Sequence, residues 1–147
     1  MRISTFSRAI AERRSVVTAT DIAIVGVGKI ARDQHIPSIT KNDAFRLAAT
    51  VSRHSSVEGV ENFATIEELL EKRPDVPAVA LCMPPQNRFD AAWTAIKAGR
   101  HVLLEKPPGA TVAEVEALIV AAREQGVALF ATWHSRYAAS VPSAKAW

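Results

Sequence analysis

The sequence predicts an α/β fold, a doubly wound parallel sheet with helices packed on its faces. Three observations carry that expectation. From residue 21 onward, short apolar β-branched runs alternate with amphipathic segments. Helix start and stop signals fall between the runs, and a glycine-bearing turn stands directly after the first of them. Strands buried on both faces of a parallel sheet read as near-continuous apolar runs, because the crossover helices cover both sides.

Taken in chain order, run 22–25 leads into Gly26-Val27-Gly28-Lys29-Ile30-Ala31, which opens the first helix. Run 47–51 ends in Ser52-Arg53-His54. Thr65-x-x-Glu68 reads as a capping box, in which each side chain serves an orphan amide at a helix start. Run 78–82 precedes Met83-Pro84-Pro85 and a helix that carries Phe89, Trp93 and Ile96 and closes at Gly99. Run 101–104 precedes Glu105-Lys106-Pro107-Pro108. A second capping box, Thr111-x-x-Glu114, then starts a helix whose Val115, Leu118, Ile119 and Ala122 follow the i, i+3, i+4, i+7 stripe and whose end is Gly126. Run 127–131 precedes Thr132-Trp133-His134-Ser135-Arg136, and residues 135–147 read as a last helix. Five strands alternating with helices, joined by right-handed crossovers, give the doubly wound, Rossmann-type sheet.

Composition narrows the class. The 147 residues are 48% hydrophobic and 22% charged, values that exclude global disorder, collagen and coiled coil. Eighteen basic against fifteen acidic residues give a net charge of +3. Arg2, Arg8, Arg13 and Arg14 against Glu12 account for all of it, so residues 15–147 are balanced and offer no clustered basic face for nucleic acid. No apolar run approaches the ~20 residues that span a bilayer. The lone Cys82 can form neither an internal disulfide nor a cysteine-based zinc site, and no metal is expected. The default expectation is a cytoplasmic protein. Residues 1–20, rich in Arg, Ser and Thr, read as a disordered basic extension, with a targeting peptide or a misplaced start as alternatives.

The turn Gly26-x-Gly28-x-x-Ala31 matches the dinucleotide fingerprint in the context that the fingerprint requires, after strand 1 and at the start of helix 1. Its first glycine permits the tight turn, its second lets the backbone approach a pyrophosphate, and small Ala31 lets helix and strand pack closely. The helix start adds free amides from Lys29 and Ile30 and a positive dipole end. An ordinary βα turn with two glycines is the competing reading. NAD sites usually place an acid at the end of strand 2, about 20 residues after the loop. Here Ser52, Arg53 and His54 stand there instead. Arg53 can stack on adenine and pair with a 2′-phosphate while Ser52 donates a hydrogen bond, so NADP is expected over NAD, with NAD still possible. A solvated loop arginine is the bland alternative.

Ligands of doubly wound sheets bind beyond the carboxyl ends of the strands. Cys82, Pro84, Pro85, Glu105, Lys106 and His134 all fall there. Pro107 restricts Lys106 to extended geometry, which aims its ammonium into the crevice. Glu105 is expected either to hold that ammonium or to cap a backbone group, and an exposed Glu105–Lys106 ion pair is the competing reading. Cys82 reads as a core thiol, and His134 as either a structural or a ligand-contacting histidine.

The order of these motifs resembles the Gfo/Idh/MocA oxidoreductase family over residues 21–147. Within it, the stretches Gly28 to His35, Leu104 to Thr111 and Ala131 to Arg136 are similar to the bacterial L-arabinose/D-galactose 1-dehydrogenases. The resemblance implies NAD(P)-dependent oxidation of an aldose at C1 to the lactone. It implies that Lys106 sits beside substrate and nicotinamide as the catalytic lysine and that His134 contacts sugar. Members of the family carry a second α/β domain that supplies most sugar contacts and an acid/base residue. The expected organisation is therefore an extension at 1–20, a cofactor domain at 21–134, and the start of a connecting helix at 135–147, with the substrate domain absent and the chain itself inactive. A non-catalytic dinucleotide-binding or regulatory module is the alternative. A homo-oligomer is possible.

Overall fold

The computed structural model describes residues 18–146, with His134 and Tyr137 described by their backbone. The expected extension falls mostly on residues 1–17, outside the described residues. Within them lie the strands Thr20–Val25 (β1), Phe45–Val51 (β2), Glu61–Phe63 (β3), Ala78–Leu81 (β4), His101–Leu104 (β5) and Leu129–Ala131 (β6). They form one sheet in the order β3-β2-β1-β4-β5-β6, with every pairing parallel. That order reverses direction between β1 and β4, the switch point at which doubly wound sheets open a ligand crevice.

Helices Ile36–Thr40 (α1), Ile66–Lys72 (α2), Phe89–Lys97 (α3), Val112–Gln125 (α4) and Val141–Lys145 (α5) complete the chain. A turn of π-helix, Ala31–His35, feeds α1. Period-2 alternation sends β1 side chains to two cores. Ala23 and Val25 join Val79, Leu81, Val102 and Leu104 beneath α2, α3 and α4. Ile22 and Ile24 join Ala80, Val27 and Ala31 on the face crossed by the π turn and α1.

Both capping boxes form. Thr65 accepts from Glu68 N–H and Thr111 from Glu114 N–H, each at 3.2 Å. The return contacts reach one residue further back than the motif predicts, because Glu68 and Glu114 accept from the amides of Ala64 and Ala110. Gly99 and Gly126 close α3 and α4 with φ of +75° and +65°, a region open to glycine at little steric cost.

The structure corrects three expectations. A sixth strand, β3, stands at the sheet edge; it is only three residues long, and exposed Glu61 and Asn62 hide its single buried anchor, Phe63. The buried stripe of α4 is Leu118, Ala121 and Ala122, while Ile119 faces outward at 37% exposure. Residues 135–147 do not make one helix. A short 3-10 turn, His134–Tyr137, is followed by extended Ala138 and then α5, whose early Pro142 suits a helix start and not a helix interior.

Candidate functional site

The carboxyl ends of β1, β2, β4 and β5 surround three neighbouring cavities. The first, about 500 Å³, is lined by Gly26, Ser52, Arg53 and His54 together with Thr65, Glu67, Met83 and Asn87. The second, about 370 Å³, is lined by Gly28, Lys29, Ile30, Cys82, Pro84, Pro85, Glu105 and Lys106, with Met83 shared and Arg88 at its wall. The third, about 450 Å³, shares Ile30, Glu105 and Lys106 and adds Gln34, His35 and Ser38. Every site residue expected from the sequence lines this system except His134, whose side chain lies outside the described residues.

Gly26 adopts φ +89°, and a Cβ there would stand 2.9 Å from the Met83 amide nitrogen. Glycine is therefore required by both backbone and neighbour. Gly28 differs: a Cβ there would meet nothing within 4 Å, so its bare face fronts open space. The first helical hydrogen bond runs from Arg32 N–H to the Gly28 carbonyl at 3.1 Å, which leaves the preceding amides ahead of the ladder, at the positive end of the helix. Ala31 is fully buried against β1. This cradle fits a dinucleotide diphosphate. The Lys29 ammonium pairs with Asp33 one turn on, so the backbone of Lys29 is what it presents to the loop.

Arg53 and His54 are exposed at the end of β2, and Ser52 is half-buried. Among the described residues no salt bridge engages Arg53. The carboxylate that does line this cavity, Glu67, enters from the first turn of α2.

Cys82 is buried, and burial together with the Glu105 charge pushes its thiol up to about 12, so it is a core thiol. Glu105 is also buried, but its carboxylate does not hold the Lys106 ammonium. One oxygen lies 2.8 Å from His35 Nε2, and the other accepts the Lys106 backbone N–H at 3.0 Å. The same amide reaches Thr132 Oγ1 at 3.1 Å. Burial alone would raise the Glu105 pKa; the hydrogen bonds from His35 and the Lys106 amide outweigh it and hold the carboxyl below its ordinary value. The Lys106 side chain remains exposed in the crevice and, among the described residues, forms no salt bridge. Its peptide bond to Pro107 is cis.

Sequence reasoning missed two residues that shape this site. His35 ends the π turn, where no simple periodicity marks a functional position. Arg88, only 2% exposed, donates to the carbonyls of Met83, Glu105 and Pro107 and so clamps the β4 and β5 exit loops together. An arginine at the start of an amphipathic helix ordinarily reads as solvated, and nothing in its spacing signals otherwise.

Strand order, glycine cradle and crevice define a dinucleotide-binding α/β domain. Comparison with known proteins sharpens this: a family profile described as "Oxidoreductase family, NAD-binding Rossmann fold" matches residues 20–132, and the chain belongs to that Gfo/Idh/MocA family. It is 44% identical to galactose 1-dehydrogenase of Pseudomonas fluorescens over 126 residues, which are 86% of this chain and 40% of that protein. The crystal structure of D-galactose-1-dehydrogenase from Rhizobium etli superposes with a TM-score of 0.84 at 59% identity, covering 88% of this chain and 42% of that one. The WlbA dehydrogenase of Bordetella pertussis, crystallised with NADH and UDP-GlcNAcA, shares the fold at a TM-score of 0.79 and 24% identity, covering 87% of this chain and 41% of that one. The chain spans about 40% of the length of these relatives. Among the described residues, no helix is long and apolar enough to cross a membrane.

Proposed function

We propose that this chain is the cofactor-binding part of an NADP-preferring aldose 1-dehydrogenase that oxidises D-galactose or L-arabinose at C1 to the lactone. The observation that carries this reading is Lys106, with an exposed side chain and an anchored backbone, at the wall shared by the phosphate-loop crevice and the His35 cavity. Residues 21–134 form the cofactor unit, and residues 135–147 lead toward the part that binds sugar. The similarity to galactose 1-dehydrogenases supports an aldose as substrate.

In this reading the amides from Gly28 to Ala31 hold the diphosphate, Ser52 and Arg53 take the 2′-phosphate, and His54 lies beside adenine. When bound, the nicotinamide supplies the hydride acceptor. Lys106 donates a hydrogen bond to the C1 oxygen, orients the reacting carbon and offsets the negative charge that develops on that oxygen. His134 contacts a sugar hydroxyl. The hydroxyl proton leaves to a base held within about 3 Å, which the sugar-binding part supplies. The 147 residues alone accordingly bind cofactor without turning over sugar.

Lys106→Met, made in a protein that carries the sugar-binding part, tests this. The expected result is a fall in kcat of about 100-fold or more, with NADP affinity within a few fold. A kcat that barely moves would return Lys106 to the role of a surface cation.

A further inference from the structure

Lys106 owes its fixed backbone to a chain of contacts that begins on a different element. His35 closes the π turn that follows the phosphate loop, with the Ile36 amide bonded back to the Ala31 carbonyl. Turns of this kind are rare and are frequently found at functional sites. The His35 ring is 14% exposed and the Glu105 side chain 12%, so the 2.8 Å contact between them is largely buried. An ionised carboxylate can only accept, so His35 Nε2 carries the proton and donates. The remaining Glu105 oxygen accepts the Lys106 amide, which also meets Thr132 at the end of β6. The carboxylate thus joins the phosphate-loop helix to the end of β5, and the Lys106 amide joins that end to the residue after β6.

We propose that His35 is a positioning residue that, by holding the Glu105 carboxylate, fixes the Lys106 backbone and couples it to the helix that follows the glycine loop. This rests on the reading of Lys106 given above for its consequence in catalysis, but not for its geometry. Without the His35 donor, a largely buried carboxylate loses a charge-assisted hydrogen bond, and its hold on the Lys106 amide weakens with it.

Amide hydrogen exchange, followed by NMR on the 147-residue chain, tests the coupling directly. In His35→Ala the Lys106 amide should lose protection by about ten-fold or more, while Ile24 in β1 and Val79 in β4 stay within about three-fold of the unmodified chain. Gln can present a donor nitrogen where His35 Nε2 stands, so His35→Gln should restore Lys106 to within about three-fold. Addition of NADPH should shift the Lys106 amide resonance in the unmodified chain and in His35→Gln, and less in His35→Ala. Unchanged Lys106 protection in His35→Ala would overturn the proposal. So would an equal loss at all three amides, which would make His35 a general stabiliser of the fold. Should His35→Ala fail to fold, Glu105→Gln keeps the test open, since swapping the carboxylate for a neutral amide must also lower Lys106 protection selectively. A Lys106→Met protein with undiminished kcat would refute the catalytic reading of Lys106 and leave these exchange results standing.

Discussion

Gly26 and Gly28 stand two residues apart in one loop and are required for different reasons. A side chain at position 26 must enter the left-handed region and press on the Met83 amide at 2.9 Å. Gly26→Ala should therefore destabilise the fold by about 1–2 kcal/mol from the backbone alone, with the contact adding to it. At position 28 the protein itself offers no obstacle, so Gly28→Ala should change stability by less than about 1 kcal/mol. It should nonetheless weaken NADPH binding by about ten-fold or more, because the methyl occupies the space that a diphosphate needs. Thermal melting and binding titration on the two variants separate these roles, and a Gly28→Ala chain that binds normally would contradict the cradle. With Ser52 and Arg53 holding the 2′-phosphate as proposed, Arg53→Asp should weaken NADP by about 10- to 100-fold and narrow or invert the proposed preference over NAD. Glu105 adds a pH dependence. Its folded-state pKa lies below the ordinary 4.5, so its contribution to stability is complete above that value and is lost as pH falls through the lower, folded value. Melting temperatures measured below about pH 4.5 should fall less steeply for Glu105→Gln than for the unmodified chain.

At the scale of elements, the exit loops of β4 and β5 are held by Arg88, and removing it strands three carbonyls, one of them buried and two partly buried. Arg88→Met should cost about 2–4 kcal/mol in urea unfolding. A loss under about 0.5 kcal/mol would mean that water replaces the clamp without penalty. Thr111→Ala, which removes one helix cap, should cost only about 1 kcal/mol. Caps and strands of this sort were legible because they depend on local chemistry. Thr65 and Thr111 act within three residues of themselves, Gly99 and Gly126 end the helices that they follow, and the apolar runs mark all the strands that are buried on both faces. The elements that escaped depend on distant partners. Phe63 makes β3 a strand only because β2 lies beside it, and Arg88 is buried only because two loops converge on its guanidinium. Glu105 left two roles open in the sequence, and the choice was made by His35, 70 residues away in the chain.

At the scale of the molecule, the sheet order brings together residues that the sequence scatters from Gly26 to Lys106, and the switch point between β1 and β4 sets the crevice that they line. The residues proposed to hold the cofactor stand out in the sequence because a phosphate cradle needs its glycines at fixed spacing beside a helix start. The proposed sugar contact at His134 stands out less, since the spacing around that residue left a structural and a ligand-contacting role equally open. On the function proposed, these residues form a working NADP-preferring site. Titration of the 147-residue chain with NADPH and with NADH, followed by nicotinamide fluorescence, tests it most directly. Saturable one-to-one binding of both is expected, with NADPH about ten-fold or more tighter, as one additional charge-assisted contact at the 2′-phosphate would give. Absence of saturable binding, or equal dissociation constants for the two cofactors, would contradict it.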